Sequence, residues 1–348
     1  MKFIIKGGKK LEGEITLSGA KNAATKMMIA SLLTEDECEL FNFPGIGDAE
    51  ITAELCRSLG SIIQKEGSVL RIKTPAITNF KVTSLSRKNR IPILALGPLL
   101  LRVGEAEIPF LGGDKIGARP VDMHLLGLRA MGATIEVVGD RYVAKAPQGL
   151  RGARITLKFP SVGATENIIL AATLAKGRTI IKNAAKEPEI IDLIKMLQKM
   201  GAIIEIGAHR TIYIDGVPRL HGCRHEMLPD RNEAVSFACL AVATGGNVLL
   251  RGAVQEHLIT FLSTLRRIGG EYEVESRGIR FFSRGPLRGT ELETDTHPGF
   301  MTDWQQPFIV LLTQAEGTSV IHETIYEDRF GYAEDLNKMG ADIHVFSK

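Results

Sequence analysis

At 348 residues the chain is too long for one ordinary core, and two domains is the expectation. With 44% apolar and 24% charged residues it has the composition of a soluble globular protein. A net charge of +3 without a run of Lys/Arg leaves no electrostatic footprint for nucleic acid.

The N-terminus, "MKFIIKGGKK", holds too short an apolar run for a signal-peptide core. The longest strongly apolar uncharged run, Ile91 to Leu101, has 11 residues and two prolines, where a membrane span needs about 20. Four cysteines (Cys38, Cys56, Cys223, Cys239) lie far apart in sequence without a CxxC pair, which favours reduced thiols in a cytoplasmic protein over a disulfide frame or a zinc site.

Five segments end alike: "AELCRSLGS", "LLGLRAMGA", "IKMLQKMGA", "LSTLRRIGG" and "AEDLNKMGA". Their glycines, Gly60, Gly132, Gly201, Gly269 and Gly340, recur every 72, 69, 68 and 71 residues. Each segment is apolar at helical spacing and stops at a Gly suited to a left-handed C′ position. A β-like run follows, as in "AIIEI" or "ADIHV". Each period also holds a second helix apolar nearly all round ("NAATKMMIASLL", "RIPILALGPLLL", "ATENIILAATLA", "EAVSFACLAVAT", "QQPFIVLLTQA"), which predicts burial on every side. Strands such as "GEITLSG", "ARITLKF" and "RTIYIDG" alternate with them. The period is a βαβαββ module of about 70 residues, with buried helices inward and strands and amphipathic helices outside.

Polar residues precede the buried helices: "SGAKN", "SRKNR", "PSVGATEN", "LPDRNE" and "HPGFMTD". They read as caps or, where helix N-termini gather with Lys21, Arg87, Lys88, Arg90 and Arg231, as a site for phosphates or carboxylates. The glycine-rich stretch "LGGDKIGARPVD" leaves two readings of Asp114: a proton donor on a loop, or a carboxylate in a surface turn.

"LSGAKNAA" (17–24), "GARPVDMH" (117–124), "PSVGATEN" (160–167), "NAAKEPEI" (183–190), "LPDR" (228–231) and "ETIYEDRF" (323–330) occur in one order. In that order they resemble the UDP-N-acetylglucosamine enolpyruvyl transferase family, over the whole chain. The sister 5-enolpyruvylshikimate-3-phosphate synthases share the fold but lack "SGAKNAA" and the Gly-Gly loop. The resemblance implies a two-domain inside-out α/β barrel closing over a cleft. One domain is residues 1–20 with 228–348; the other, 21–227, carries the Asp114 loop and three complete repeats. A sixth repeat, with a glycine near position 410 and two more arginines for phosphoenolpyruvate, is absent, so some apolar repeat faces are expected uncovered.

The implied reaction moves the enolpyruvyl group of phosphoenolpyruvate onto the sugar 3-hydroxyl, with no metal or redox cofactor, as the first committed step of peptidoglycan precursor synthesis. It takes a base, an acid and a cationic clamp. By resemblance Asp303 is the base, though its position before "WQQPF" also suits a helix N-cap. Asp114 is the acid, where most of the family has Cys; a carboxylate there predicts insensitivity to fosfomycin, which alkylates that Cys. Lys21, Asn22, Arg119 and Arg329 match phosphoenolpyruvate contacts, Lys21 with a catalytic share. Arg90, Arg119, Pro120, Val121, Asp122, Met123, Ser161, Val162, Asp303 and Ile325 match UDP-sugar contacts, while Val162 and Ile325 equally suit plain packing. Arg231 reads as structural. The sequence leaves two alternatives open: a non-catalytic UDP-sugar-binding homologue, or a transferase with another acceptor. It does not address oligomeric state.

Overall fold

The computed structural model describes residues 2–82, 85–87, 89–110, 112–113 and 115–346. Asp114 and Lys88 lie outside the described residues. In chain order the elements open with β1 (Glu12–Thr16), α1 (Lys21–Ala30), β2 (Cys38–Phe41), α2 (Gly47–Ser58), β3 (Ile62–Glu66) and β4 (Val69–Lys73). Next come α3 (Leu96–Arg102), β5 (Glu105–Pro109), α4 (Asp122–Ala130), β6 (Thr134–Val138) and β7 (Arg141–Lys145). The third period is β8 (Arg154–Thr156), α5 (Val162–Ala172), β9 (Arg178–Lys182), α6 (Pro188–Lys199), β10 (Ile203–Ile206) and β11 (Ile212–Asp215). The fourth is β12 (Arg224–Glu226), α7 (Arg231–Ala243), β13 (Asn247–Arg251), α8 (Ile259–Arg267), β14 (Gly270–Glu275) and β15 (Gly278–Ser283). The last is β16 (Glu291–Glu293), α9 (Gln305–Leu312), β17 (Val320–His322) and α10 (Ala333–Lys338).

The chain divides into two compact units. One holds residues 1–18, 115–118 and 229–348; the other holds 19–114 and 119–228. The first strand of the chain does not pair within its own period. β1 runs parallel to β13, far along the chain, giving the sheet β1-β13-β15-β14. Conversely β12 runs parallel to β2, giving β12-β2-β4-β3. The third period keeps its own first strand, β8, in the order β10-β11-β9-β8. In the second the first strand shrinks to a bridge between Lys81 and Glu107 beside β5-β7-β6.

Gly60, Gly132, Gly201, Gly269 and Gly340 all have φ between 97° and 114°, and each follows the C-cap of α2, α4, α6, α8 or α10. After α2 the Gly60 N–H donates to the Arg57 carbonyl and the Ser61 N–H to that of Cys56, the Schellman pattern that satisfies the last helical carbonyls. The same pair of bonds follows α4, α6 and α10.

Three sequence expectations need correction. "RIPILALGPLLL" is not one α-helix: Ile91–Ala95 is a 3-10 turn and α3 begins at Leu96. Pro98 has no N–H to donate to the Leu94 carbonyl, so an α-helical bond cannot form there. "ADIHV" is not a strand. In the third period the matching strand, β10, pairs antiparallel with β11, and no strand follows Gly340 among the described residues. Asn337 instead brackets Ile343, donating to its carbonyl and accepting from its N–H. Finally, burial on every side holds closely for α1, α3 and α5 but not for α7 and α9, where Leu240 is 47% and Val310 43% exposed. The core around α7 and α9 is aromatic: Phe261, Phe281, Phe300, Trp304 and Phe308 pack mostly edge-to-face. No helix among the described residues is long and apolar enough to cross a membrane.

Candidate active site

In the unit formed by residues 1–18, 115–118 and 229–348, the candidate site centres on Asp303. It lies in a 3-10 turn, Thr302–Trp304, just before α9. Trp304 fixes that turn: its ring is buried at 1% exposure, crosses Phe300 at 5.5 Å and 89°, and donates Nε1–H to Asn232 Oδ1 at 3.0 Å. Asp303 Oδ1 accepts from Arg329 Nη2 at 2.6 Å, an ion pair whose guanidinium is only 11% exposed. Its Oδ2 accepts from Asn232 Nδ2 at 3.3 Å. The N-cap reading of Asp303 therefore fails. α9 has no side-chain cap, and the carboxylate is drawn to a guanidinium and an amide instead.

Glu323 organises the loop that carries Arg329. Its Oε1 accepts the N–H groups of Ile325 (2.8 Å) and Tyr326 (3.2 Å) and the Thr294 hydroxyl (3.0 Å). Its Oε2 accepts from the Thr302 hydroxyl at 2.9 Å and Gln305 Nε2 at 3.3 Å. One carboxylate thus ties the 323–329 loop to the turn that bears Asp303. Ile325, half-buried, is held through its backbone. In the same unit the Ala118 N–H donates to Glu327 Oε2 at 3.2 Å, beside Gly117 at φ 118°. That φ favours glycine, and an added Cβ at Gly117, 2.1 Å from that oxygen, would also displace the Glu327 carboxylate. Arg231 is structural here: 2% exposed, stacked at 5.5 Å over Trp304, with Nη1 at 3.5 Å from His297 Nδ1.

In the other unit Arg90 and Arg119 meet. Arg90 Nη1 donates to the Arg119 carbonyl at 2.8 Å. Both pack on Gly113, where a Cβ would sit 3.2 Å from Arg119 Nη1 and 3.3 Å from Arg90 Cγ. Pro120 and Val121 then lead into α4, whose first two residues are Asp122 and Met123. The start of α4 is locked to the start of α5. His124, buried, takes a hydrogen bond on Nδ1 from Asn167 Nδ2 at 3.2 Å, and its ring packs where a Cβ on Gly163 would intrude. Burial, then the Arg90 charge, push the His124 imidazole down to about 4, so it stays neutral and accepts at Nδ1. Ser161 caps α5, its hydroxyl oxygen accepting from the Ala164 N–H at 3.3 Å. The fold thereby brings together Arg90, Arg119–Met123, Ser161 and Val162. Lys21 and Asn22 open α1, whose N-terminus has neither a side-chain cap nor an acidic residue in its first turn. Lys26 Nζ braces that turn by donating to the Asn22 carbonyl at 2.7 Å.

The polar residues before the buried helices thus split. Ser161 and Asp230 are true caps, whereas α1 and α9 begin without one. Arg87 is exposed and faces Asp48 at 3.3 Å, apart from the Arg90 cluster's bonding. The sequence reading missed Glu323, Asn232, His124 and Asn167, all of which act by holding other residues. All four stood inside quoted motifs, but nothing in their spacing separates a brace from a ligand contact.

The family description EPSP synthase (3-phosphoshikimate 1-carboxyvinyltransferase) matches residues 5–348. A UDP-N-acetylglucosamine 1-carboxyvinyltransferase from Chlamydia abortus is 54% identical over 345 residues, 98% of this chain and 78% of that protein. A protein of the same name from Acidiphilium cryptum is 49% identical over 98% of this chain and 82% of its own length. Among solved structures, the enolpyruvyl transferase NikO from Streptomyces tendae superposes with a TM-score of 0.86 at 22% identity, covering 98% of this chain and 81% of that one. EPSP synthase from Acinetobacter baumannii gives 0.72 at 21% identity, over 95% and 79%. The likeness in structure is one of fold: the enolpyruvyl transferase fold of α/β repeats.

Proposed function

Since the chain belongs to the EPSP synthase family and, within it, to the UDP-N-acetylglucosamine 1-carboxyvinyltransferases, we propose that it moves the enolpyruvyl group of phosphoenolpyruvate onto the 3-hydroxyl of UDP-N-acetylglucosamine. Phosphate leaves, and the product enters peptidoglycan precursor synthesis. The small-molecule pair phosphoenolpyruvate and UDP-N-acetylglucosamine are its substrates, and the cytoplasm is its expected compartment.

Addition comes first. Asp303 takes the proton of the sugar 3-hydroxyl as that oxygen attacks C2 of phosphoenolpyruvate, and Asp114 delivers a proton to C3. The ketal then loses a proton from C3 as the C2–O bond to phosphate breaks, restoring the double bond and releasing phosphate. Lys21, Asn22, Arg119 and Arg329 hold the phosphate and carboxylate, with guanidinium groups suited to bidentate contact. Arg90, Pro120, Val121, Asp122, Met123, Ser161, Val162 and Ile325 take the UDP-sugar. The observation that carries the base assignment is the Asp303–Arg329 pair. One carboxylate oxygen is fixed by a 2.6 Å ion pair, and the other is engaged by a 3.3 Å amide contact weak enough for a substrate hydroxyl to displace.

The deciding experiment is phosphate release from phosphoenolpyruvate by the 348-residue chain, alone, with UDP-N-acetylglucosamine, and with shikimate 3-phosphate. Release dependent on UDP-N-acetylglucosamine supports the assignment. Release only with shikimate 3-phosphate, or with neither acceptor, overturns it.

A further inference from the structure

Two of the four cysteines, 185 residues apart in sequence, become neighbours in the fold. β12 pairs with β2 in parallel, with Arg224 opposite Glu39 and His225 opposite Leu40. One position earlier that register places Cys223 opposite Cys38, and the Glu39 N–H donates to the Cys223 carbonyl at 2.8 Å. Neighbouring strands lie about 4.8 Å apart, inside the Cα separation of roughly 4.4–6.8 Å that a disulfide spans. Opposed residues of a parallel pair project to the same face. Here that is the buried face, where Leu40 and His225 follow Cys38 and Cys223 at the next inward positions.

The surroundings differ on the two sides. Cys38 is fully buried, whereas Cys223 is partly exposed. The neighbouring Cys223 thiol, with burial, pushes Cys38 far up, while the Cys38 thiol and then the Lys199 charge, against burial, bring Cys223 down from its ordinary range. Lys199 is held nearby, its Nζ donating to the Arg224 carbonyl at 3.4 Å. The accessible sulfur is thus the better nucleophile, and the sealed one is placed to resolve what it forms. Cys56 and Cys239, by contrast, are buried and pushed up by burial.

We propose that Cys38 and Cys223 form a peroxide-reactive dithiol, converted by hydrogen peroxide into an intramolecular disulfide that joins β2 to β12. The Cys223 thiolate attacks a peroxide oxygen, the O–O bond breaks, and hydroxide leaves, giving Cys223 sulfenic acid. The Cys38 thiol then attacks that sulfur. An S–S bond forms, the S–O bond breaks, and water departs carrying the Cys38 proton. Both sulfurs are oxidised by the one two-electron oxidant. The proposal stands apart from the transferase reading, since neither thiol is assigned to the reaction.

The test treats the reduced full-length chain with a small excess of hydrogen peroxide, alkylates it under denaturing conditions, and maps its peptides without reductant. The expected result is one cross-linked peptide pair containing Cys38 and Cys223, with Cys56 and Cys239 alkylated and the cross-link reversed by dithiothreitol. Cys38→Ser should instead leave a sulfenic acid at Cys223 that dimedone captures. Should that variant fold poorly, the map of the unaltered chain decides alone. Four alkylatable thiols after peroxide, a different pairing, or over-oxidised Cys223 beside a free Cys38 would each overturn the proposal.

Discussion

Glu166 sits inside α5 at 1% exposure, with no hydrogen bond to either carboxylate oxygen among the described residues. Burial, opposed by Lys26 and reinforced by Glu189 and Glu187, raises it from 4.5 to about 7. The folded chain keeps this proton until about pH 7, while the unfolded chain loses it near 4.5, so the stability it confers is complete below 4.5 and disappears as pH rises through 7. The loss amounts to about 3 kcal/mol by the linkage relation. Glu166→Gln should flatten that slope and raise the urea midpoint at pH 8; equal slopes for both proteins between pH 5 and 8 would refute the assignment. At Asp303 the expectation concerns rate. Asp303→Asn keeps the shape but not the base, so turnover should fall about 10²–10⁴-fold with the fold intact by circular dichroism. Phosphate release within tenfold of the original would remove Asp303 from that role. For Asp114, a carboxylate is a poor nucleophile toward an epoxide compared with a thiolate. Intact mass should therefore show no time-dependent fosfomycin adduct, and an adduct at Asp114 would contradict this.

The terminal glycines make a comparison at the level of the helix. Gly201, after α6, would put a Cβ in ordinary van der Waals contact with His221 Cδ2 at 3.6 Å, with no clash. Gly201→Ala therefore meets only the left-handed backbone penalty, about 1–2 kcal/mol. Gly60, after α2, would place its Cβ 2.5 Å from the Ala76 carbonyl oxygen, so Gly60→Ala should lower stability clearly more. Equal losses in urea denaturation would show that packing is not the difference. These helix ends were legible in the sequence because a Schellman stop is local, involving five or six consecutive residues. The pairing of β1 with β13 was not legible in the sequence: family resemblance only placed residues 1–20 with 228–348, and no local pattern says which strand a parallel edge will choose. Likewise "PSVGATEN" announced the cap at Ser161, but the Asp303–Arg329 pair looked locally like a cap because its partner lies 26 residues away. The apolar alternation of "ADIHV" misled for the converse reason. Alternation reports a face, and a strand also needs a neighbour.

For the whole molecule, the exchange of first strands makes stability depend on a segment remote in sequence. Deleting residues 1–16 removes β1 from the edge of β13 and leaves the N–H and C=O groups on that side of β13 unpaired. The expected outcome is selective. Limited proteolysis should cut earlier within 229–348, while 19–228, whose sheets do not include β1, keeps its original resistance. Equal sensitivity in both regions would show that the strand serves the chain generally. The exchange also sets an order of birth on the ribosome. The 19–228 segment receives β12, its last strand, before any of α7 is made, and can close its sheets by itself. β1 is synthesised first but must wait for β13 through more than 200 further residues, roughly 10–50 s at ordinary synthesis rates. Throughout that interval a bare parallel-type edge hangs ahead of a folding domain, and the cell must keep it from finding another partner.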